Sequence, residues 1–237
     1  AKTGDAARFE RRLASRMIIG LGGKGPLEIG ITLDYITGLP VIPGSALKGL
    51  ARTYAVYSIA DAFGVPVLTE PAATAYQERA GKDKHRATPL EYLDEWLAAP
   101  ETEKNGARDR ASVMSDLRIA AADAIDCGAP AMKLFAEADL EASNEAVLFR
   151  LVFGSNAQSG LAVFHEAVVS AASSDSNLFE VDVMTPHFKD YYNSGNDSKG
   201  KPSKPPADND GPNPINFITV AEGTVFDFAV AVRSRRA

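Results

Sequence analysis

The chain has 237 residues, of which 45% are hydrophobic, 24% charged and 8% aromatic, and its formal net charge is −6. Those fractions exclude collagen-like and wholly disordered structure, and the length allows one large domain or two small ones. No apolar run reaches the roughly 18 residues of a membrane span, and the single cysteine, Cys127, excludes an internal disulfide, which predicts a soluble protein of the reducing cytoplasm with no membrane partner.

Near the start, Ser15–Leu21 and Leu27–Tyr35 read as strands, with Ile29, Ile31, Leu33 and Tyr35 alternating on one face. The turn Gly22-Gly23-Lys24-Gly25-Pro26 joins them. It is not a phosphate-binding P-loop, because Lys24 is followed by Gly25 and a strand instead of a Ser or Thr opening a helix. Lys24 at the turn's tip is still a candidate contact for a backbone phosphate.

From Ser45 the apolar period changes from two to about 3.6, which predicts a helix to about Phe63. Leu47, Leu50, Ala51, Tyr54 and Ser58 mark its expected packed stripe, and Lys48 and Arg52, four residues apart, its opposite face. Gly44 permits a tight approach and Ser45 is placed to cap. A helix start carries unpaired N–H groups and the positive end of the helix dipole, so Gly44, Ser45, Lys48 and Arg52 form a candidate anion site. The alternative is an ordinary capped helix with two exposed cations. Gly49 inside the helix costs roughly 1 kcal/mol against Ala, which predicts a close neighbour there.

Residues 64–142 form an acidic section. Residues 61–145 carry nine bases and 17 acids, against eight and four in residues 1–60 and eight and ten in residues 146–237. Glu91–Leu97 and Arg108–Asp126 read as helices within it, which predicts a small helical insertion. A helix at about Asn144–Phe153 follows, stopped by Gly154. Then come four strands, Gly160–Val168, Phe179–Met184, Ile215–Val220 and Thr224–Val232, with a hairpin turn expected at Ala221-Glu222-Gly223. Between the second and third lies the excursion Thr185–Pro214, too long for an idle loop in a compact domain. Its Phe188, Tyr191 and Tyr192, beside His187 and Lys189, suit base stacking; pinning the loop to its own domain is the alternative.

Acid/base and metal chemistry find little support. His85, His165 and His187 lie far apart in sequence, and Glu28, Asp34, Asp182 and Asp190 lack metal-ligand spacing. His165 falls within a predicted strand and reads as packing. No cofactor motif, metal site or catalytic set is expected. Segregated helices and strands indicate an α+β fold, and their order fits a ferredoxin-like (RRM-like) antiparallel sheet with helices on one face, here as a single domain over residues 1–237 carrying the insertion at 64–142 and an extended, thumb-like hairpin loop at 185–214.

Four segments together resemble the RAMP superfamily of CRISPR-associated proteins, in particular subunits of type III-B (Cmr) effector modules. They are Pro26–Leu33 leading through Gly38-Leu-Pro-Val-Ile-Pro-Gly-Ser-Ala-Leu-Lys-Gly-Leu-Ala-Arg52; Phe153-Gly-Ser155 with Ser159-Gly160; Asp182-Val-Met-Thr-Pro-His-Phe-Lys-Asp-Tyr-Tyr192; and Pro205–Asp208 with Pro212–Val220. The resemblance implies a ferredoxin-like RNA-binding subunit that contacts guide RNA (crRNA) near its 3′ end and the guide–target RNA duplex, among other Cmr-type subunits, in antiviral defence. Base pairing would read the sequence while the protein reads shape and charge. Cleaving backbone subunits of the superfamily carry an Asp ahead of the Ile-Pro-Gly-Ser turn; this chain is read with Glu28 there, which implies a subunit that is not an enzyme. The competing expectation is a RAMP-type endoribonuclease, with His187 as general base or with Glu28 and Asp34 as metal ligands.

Overall fold

The structure is a computed structural model that describes residues 3–21, 30–79, 87–103, 106–130, 135–173, 177–185, 191, 195, 211–212 and 214–233. The chain divides into two compact units, one built from Ala1–Ala7, Gly44–Phe164 and Val230–Ala237, the other from Arg8–Pro43 and His165–Ala229. It is a mixed α/β protein with antiparallel sheets.

The first unit is mainly helical. Its helices are α1 (Gly44–Phe63), α2 (Glu70–Arg79), α3 (Pro89–Ala98), α4 (Arg110–Asp126), α5 (Glu137–Glu141) and α6 (Asn144–Phe153). Local chemistry places their ends. Thr88 and Glu91 form a reciprocal capping box before α3: the Glu91 N–H donates to the Thr88 hydroxyl at 3.3 Å, and the Thr88 N–H to the Glu91 carboxylate at 2.7 Å. One-way caps open the next two: the Asp109 carboxylate accepts from the Ser112 N–H at the start of α4, and the Ser143 hydroxyl from the Ala146 N–H at the start of α6. One core joins Val56, Ile59 and Ala60 of α1 to Leu93, Trp96 and Leu97 of α3, Val113 and Leu117 of α4, and Ala146 and Phe149 of α6. The acidic section is therefore packed into the body of this unit. Sequence periodicity missed α2, whose buried residues are only Ala72 and Tyr76, too few for a visible stripe.

The predicted packed face of α1 is overturned. Leu50 and Tyr54 are exposed, and the buried residues are Val56, Ile59 and Ala60. Apolar residues surround this helix, so its sequence offers two candidate stripes, and burial selects the one continuous with Lys48 and Arg52. Ser45 is also not the cap. The helix begins at Gly44, which puts Ser45 inside the first turn.

In the second unit β2 (Val41–Ile42) pairs antiparallel with β6 (Ala167–Val169), Val41 opposite Val168 and Ile42 opposite Ala167. Next to β6 lies β9 (Val225–Arg233), with Val168 opposite Asp227, and on the other side of β9 lies β1 (Thr3–Arg12). The sequence of β1 is too polar for an alternation to show; Phe9 stacks on Phe228 with ring centroids 5.2 Å apart. In the first unit the last residues of β9 pair with β5 (Ala162–Phe164), Val163 opposite Ala231.

β7 (Phe179–Met184) and β8 (Ile215–Val220) pair from Phe179–Val220 to Met184–Ile215, so the excursion Thr185–Pro214 springs from the open end of a regular hairpin. Most of that excursion lies outside the described residues. The hairpin expected at Ala221–Gly223 is a turn without one, because β8 pairs with β7 and β9 with other strands. The early strands Ser15–Leu21 and Leu27–Tyr35 reduce, among the described residues, to single bridges at Met17–Val220 and Leu33–Pro40. The strand predicted over Gly160–Val168 breaks at His165 and Glu166. His165 is exposed there, which corrects its packing role.

Candidate nucleic-acid interface

The start of α1 brings Lys48 and Arg52 to the end of α6. There the chain leaves the helix through a tight turn, β3 (Gly154–Ser155) pairing with β4 (Gln158–Ser159). Gly154 has a φ of +93°, favouring glycine, and ends α6 as the sequence predicts. Gly160 folds back so closely that a Cβ there would lie 2.3 Å from the Val152 carbonyl oxygen. The Asn156 N–H donates to the Ala98 carbonyl at 2.8 Å, which ties the turn to the end of α3. Arg233, at the end of β9, is placed by its N–H bond to the Leu161 carbonyl at 2.8 Å.

Together these elements line an open cleft of about 580 Å³, faced by Lys48, Arg52, Arg233 and the turn residues Ser155–Gly160, with no carboxylate among its described lining residues. The first turn of α1 holds no acid either, so the helix's own sequence leaves the positive end of its dipole unopposed.

The three cations differ. Arg52 is partly neutralised: its Nη1 lies 2.5 and 2.7 Å from the two oxygens of Asp94 on α3, and its guanidinium sits 5.3 Å from the centre of the Phe149 ring. The acidic section thus places one carboxylate, Asp94, on a cation of the cleft. Lys48 and Arg233 make no ion pair with any described residue. The result is a polar groove, net positive among its described lining residues, suited to an extended polyanion.

A family model, that of the RAMP superfamily, matches residues 12–206. The chain belongs to the RAMP superfamily. It is 28% identical over 223 residues to the CRISPR system Cmr subunit Cmr6 of Pyrococcus furiosus, the sixth subunit by name, a match covering 93% of this chain and 56% of that relative. The chain therefore spans little more than half the length of the curated relative it matches. Among solved structures, a chain in the cryo-EM structure of the type III-B Cmr-beta bound to cognate target RNA is similar with a TM-score of 0.48 and 16% identity, over 97% of this chain and 47% of that one. The crystal structure of Cmr6 from Pyrococcus furiosus is similar with a TM-score of 0.46 and 20% identity, over 98% and 84%.

In this RAMP chain, two of the residues singled out in the sequence, Lys48 and Arg52, line the cleft. Gly44 and Ser45 open the same helix but are not among its lining residues. Lys24, His187, Lys189 and Tyr192 lie outside the described residues, as do Glu28, Phe188 and Asp190. Tyr191 is half-buried in the other unit. Sequence reading missed Arg233 and the Asn156–Gln158 turn. The motif Phe153-Gly-Ser155…Ser159-Gly160 carried a signal for the turn, in its two glycines, whereas nothing local in a terminal Arg run points to Arg233.

Of the candidates for acid/base or metal chemistry, Asp34 and Asp182 are engaged with neighbouring groups. The Asp34 carboxylate accepts from the Thr37 N–H and hydroxyl, each at 2.7 Å, and from the Ile36 N–H at 3.1 Å. These bonds, the Thr37 N–H foremost, hold its pKa below the ordinary carboxylate value. Asp182 pairs with Arg16 at 2.9 Å. Among the described residues no three His, Cys, Asp or Glu side chains converge to hold a metal, and no helix is long and apolar enough to cross a membrane.

Proposed function

We propose that this chain is a non-catalytic, RNA-binding subunit of a type III-B CRISPR (Cmr) ribonucleoprotein, built on a ferredoxin-like arrangement and working in the cytoplasm. On this reading it grips guide RNA near its 3′ end, meets the guide–target RNA duplex and docks on other Cmr-type subunits in antiviral defence. The observation that carries it is the cleft of Lys48, Arg52 and Arg233, which has no carboxylate among its described lining residues and opens beside a helix start without acids. The named relative is a Cmr subunit, which supports the choice of assembly. The engagement of Asp34 in its own turn supports a binding role over a catalytic one.

Filter binding of guide RNA at two ionic strengths tests the reading. The variant Lys48→Glu is expected to bind several-fold more weakly, with the slope of log affinity against log salt smaller by about one, because a phosphate contact and its counterion release are lost. Unchanged affinity and slope would remove the cleft from the RNA path. Cleavage of a repeat RNA by the purified chain, abolished in Asp34→Asn or His187→Ala, would replace the binding role by an endoribonuclease.

A further inference from the structure

The turn that follows Leu33 has a feature the RNA-binding reading does not use. Tyr35 is 101% and Ile36 90% exposed, adjacent at the tip, with Leu33 and Leu39 partly exposed on either side. Solvent-facing apolar residues are common singly; two neighbours at full exposure on an ordered turn are not.

The turn is ordered from within. The Asp34 N–H donates to the Leu39 carbonyl at 2.8 Å and the Gly38 N–H to the Asp34 carbonyl at 2.9 Å, while Leu33 and Pro40 bridge its base. Inside the loop the Asp34 carboxylate takes the Ile36 and Thr37 N–H groups and the Thr37 hydroxyl, and the Thr37 oxygen accepts from the Leu39 N–H at 3.3 Å. Gly38, at a φ of +69°, lets the chain close. Tyr35 and Ile36 are thus held outward before any partner arrives, so little backbone freedom is lost on docking.

Charge decides which partner fits. Between Gly30 and Leu47 the sequence contains one charged residue, Asp34, and no Lys or Arg. From this segment a nucleic-acid strand would receive a carboxylate and no cation, whereas an apolar pocket in a protein would meet an aromatic and a branched aliphatic anchor. We propose that the Asp34–Gly38 turn is a preformed plug that seats Tyr35 and Ile36 in an apolar pocket of a neighbouring, different protein subunit. The proposal rests on the functional reading for the existence of that neighbour and on its own observations for the contact.

The test places the photo-crosslinking residue p-benzoylphenylalanine at Tyr35 in the chain co-expressed with the other subunits of its effector. Illumination is expected to give a protein adduct that survives nuclease digestion. In parallel, the double variant Tyr35→Ser/Ile36→Ser is expected to lose at least about tenfold in retention of the neighbouring subunit, with its thermal transition and the guide-RNA affinity of the isolated chain unchanged. Lys48→Glu should show the reverse pattern. Full retention by the double variant, an adduct removed by nuclease, or one formed only with a second copy of this chain overturns the plug alone. Failure of the wild-type chain to retain any subunit overturns both the plug and the functional reading.

Discussion

In the helical segment between Gly64 and Ala142, apolar side chains bury one another. Leu93, Leu97, Val113, Leu117 and Leu140 have no exposed surface and Trp96 almost none, while several of the segment's described acids pair with Arg79, Arg108 and Arg118. In residues 30–43 the pattern inverts. Val41 and Ile42 are buried, but Leu33, Tyr35, Ile36 and Leu39 face solvent around a turn braced by one carboxylate. The first region satisfies its hydrophobic requirement within its own unit, and its substitutions report on stability. The second leaves that requirement open, and its substitutions report on association. Among the described acids of the helical segment, Asp94 pairs with Arg52 at the cleft.

The largest expected effect lies in the self-sufficient region. Trp96→Ala should cost about 3–5 kcal/mol, the usual loss for emptying a large aromatic site. It also strips the ring beneath Arg150, whose guanidinium lies 4.8 Å from the indole centre. Arg150 is held mostly by packing: burial, with Arg110 adding repulsion, lowers its pKa to about 10. Chemical denaturation of Trp96→Ala beside Tyr35→Ser/Ile36→Ser checks the contrast, since the second should move stability by no more than about 0.5 kcal/mol. Comparable losses in both would erase the distinction.

Gly49→Ala sharpens the comparison at the cleft. No described atom lies within 4 Å of a Cβ built at Gly49, so the close neighbour expected from the sequence is not supplied by the described part of the chain. Alanine should therefore raise stability by about 1 kcal/mol. If an RNA strand passes over the helix start, the same substitution lowers guide affinity, and thermal melting with filter binding separates the two effects.

Asp94→Asn is the smallest change. The Arg52–Asp94 pair is partly exposed, 32% and 38% for the two side chains, so solvent screening limits the stability lost to under about 1 kcal/mol. Releasing the full charge of Arg52 into the cleft should tighten RNA binding a few-fold and steepen the salt slope by about one. An unchanged slope would show that Arg52 serves the fold alone.

Much of this architecture is written locally. Helices α3, α4 and α6 were legible from local pattern and from Gly154 as the stop of α6, and the structure adds that Thr88 with Glu91, Asp109 and Ser143 cap their own first turns. Strands β7, β8 and β9 were legible from alternation and flanking turns. The family was legible too, because its motifs are contiguous runs of residues.

Tertiary structure alone decided the rest. α1 carries apolar residues on two sides, and only packing against Leu93 and Phe149 chose Val56, Ile59 and Ala60 over Leu50 and Tyr54. The charge on Arg52 is set by Asp94, 42 positions along the chain, and the cleft is completed by Arg233, placed through strand pairing with β5. Capping, turns and periodicity act over a few residues and leave a mark in the sequence. Which face is buried and which charge is answered depend on contacts between distant segments, and those arise only when the chain folds.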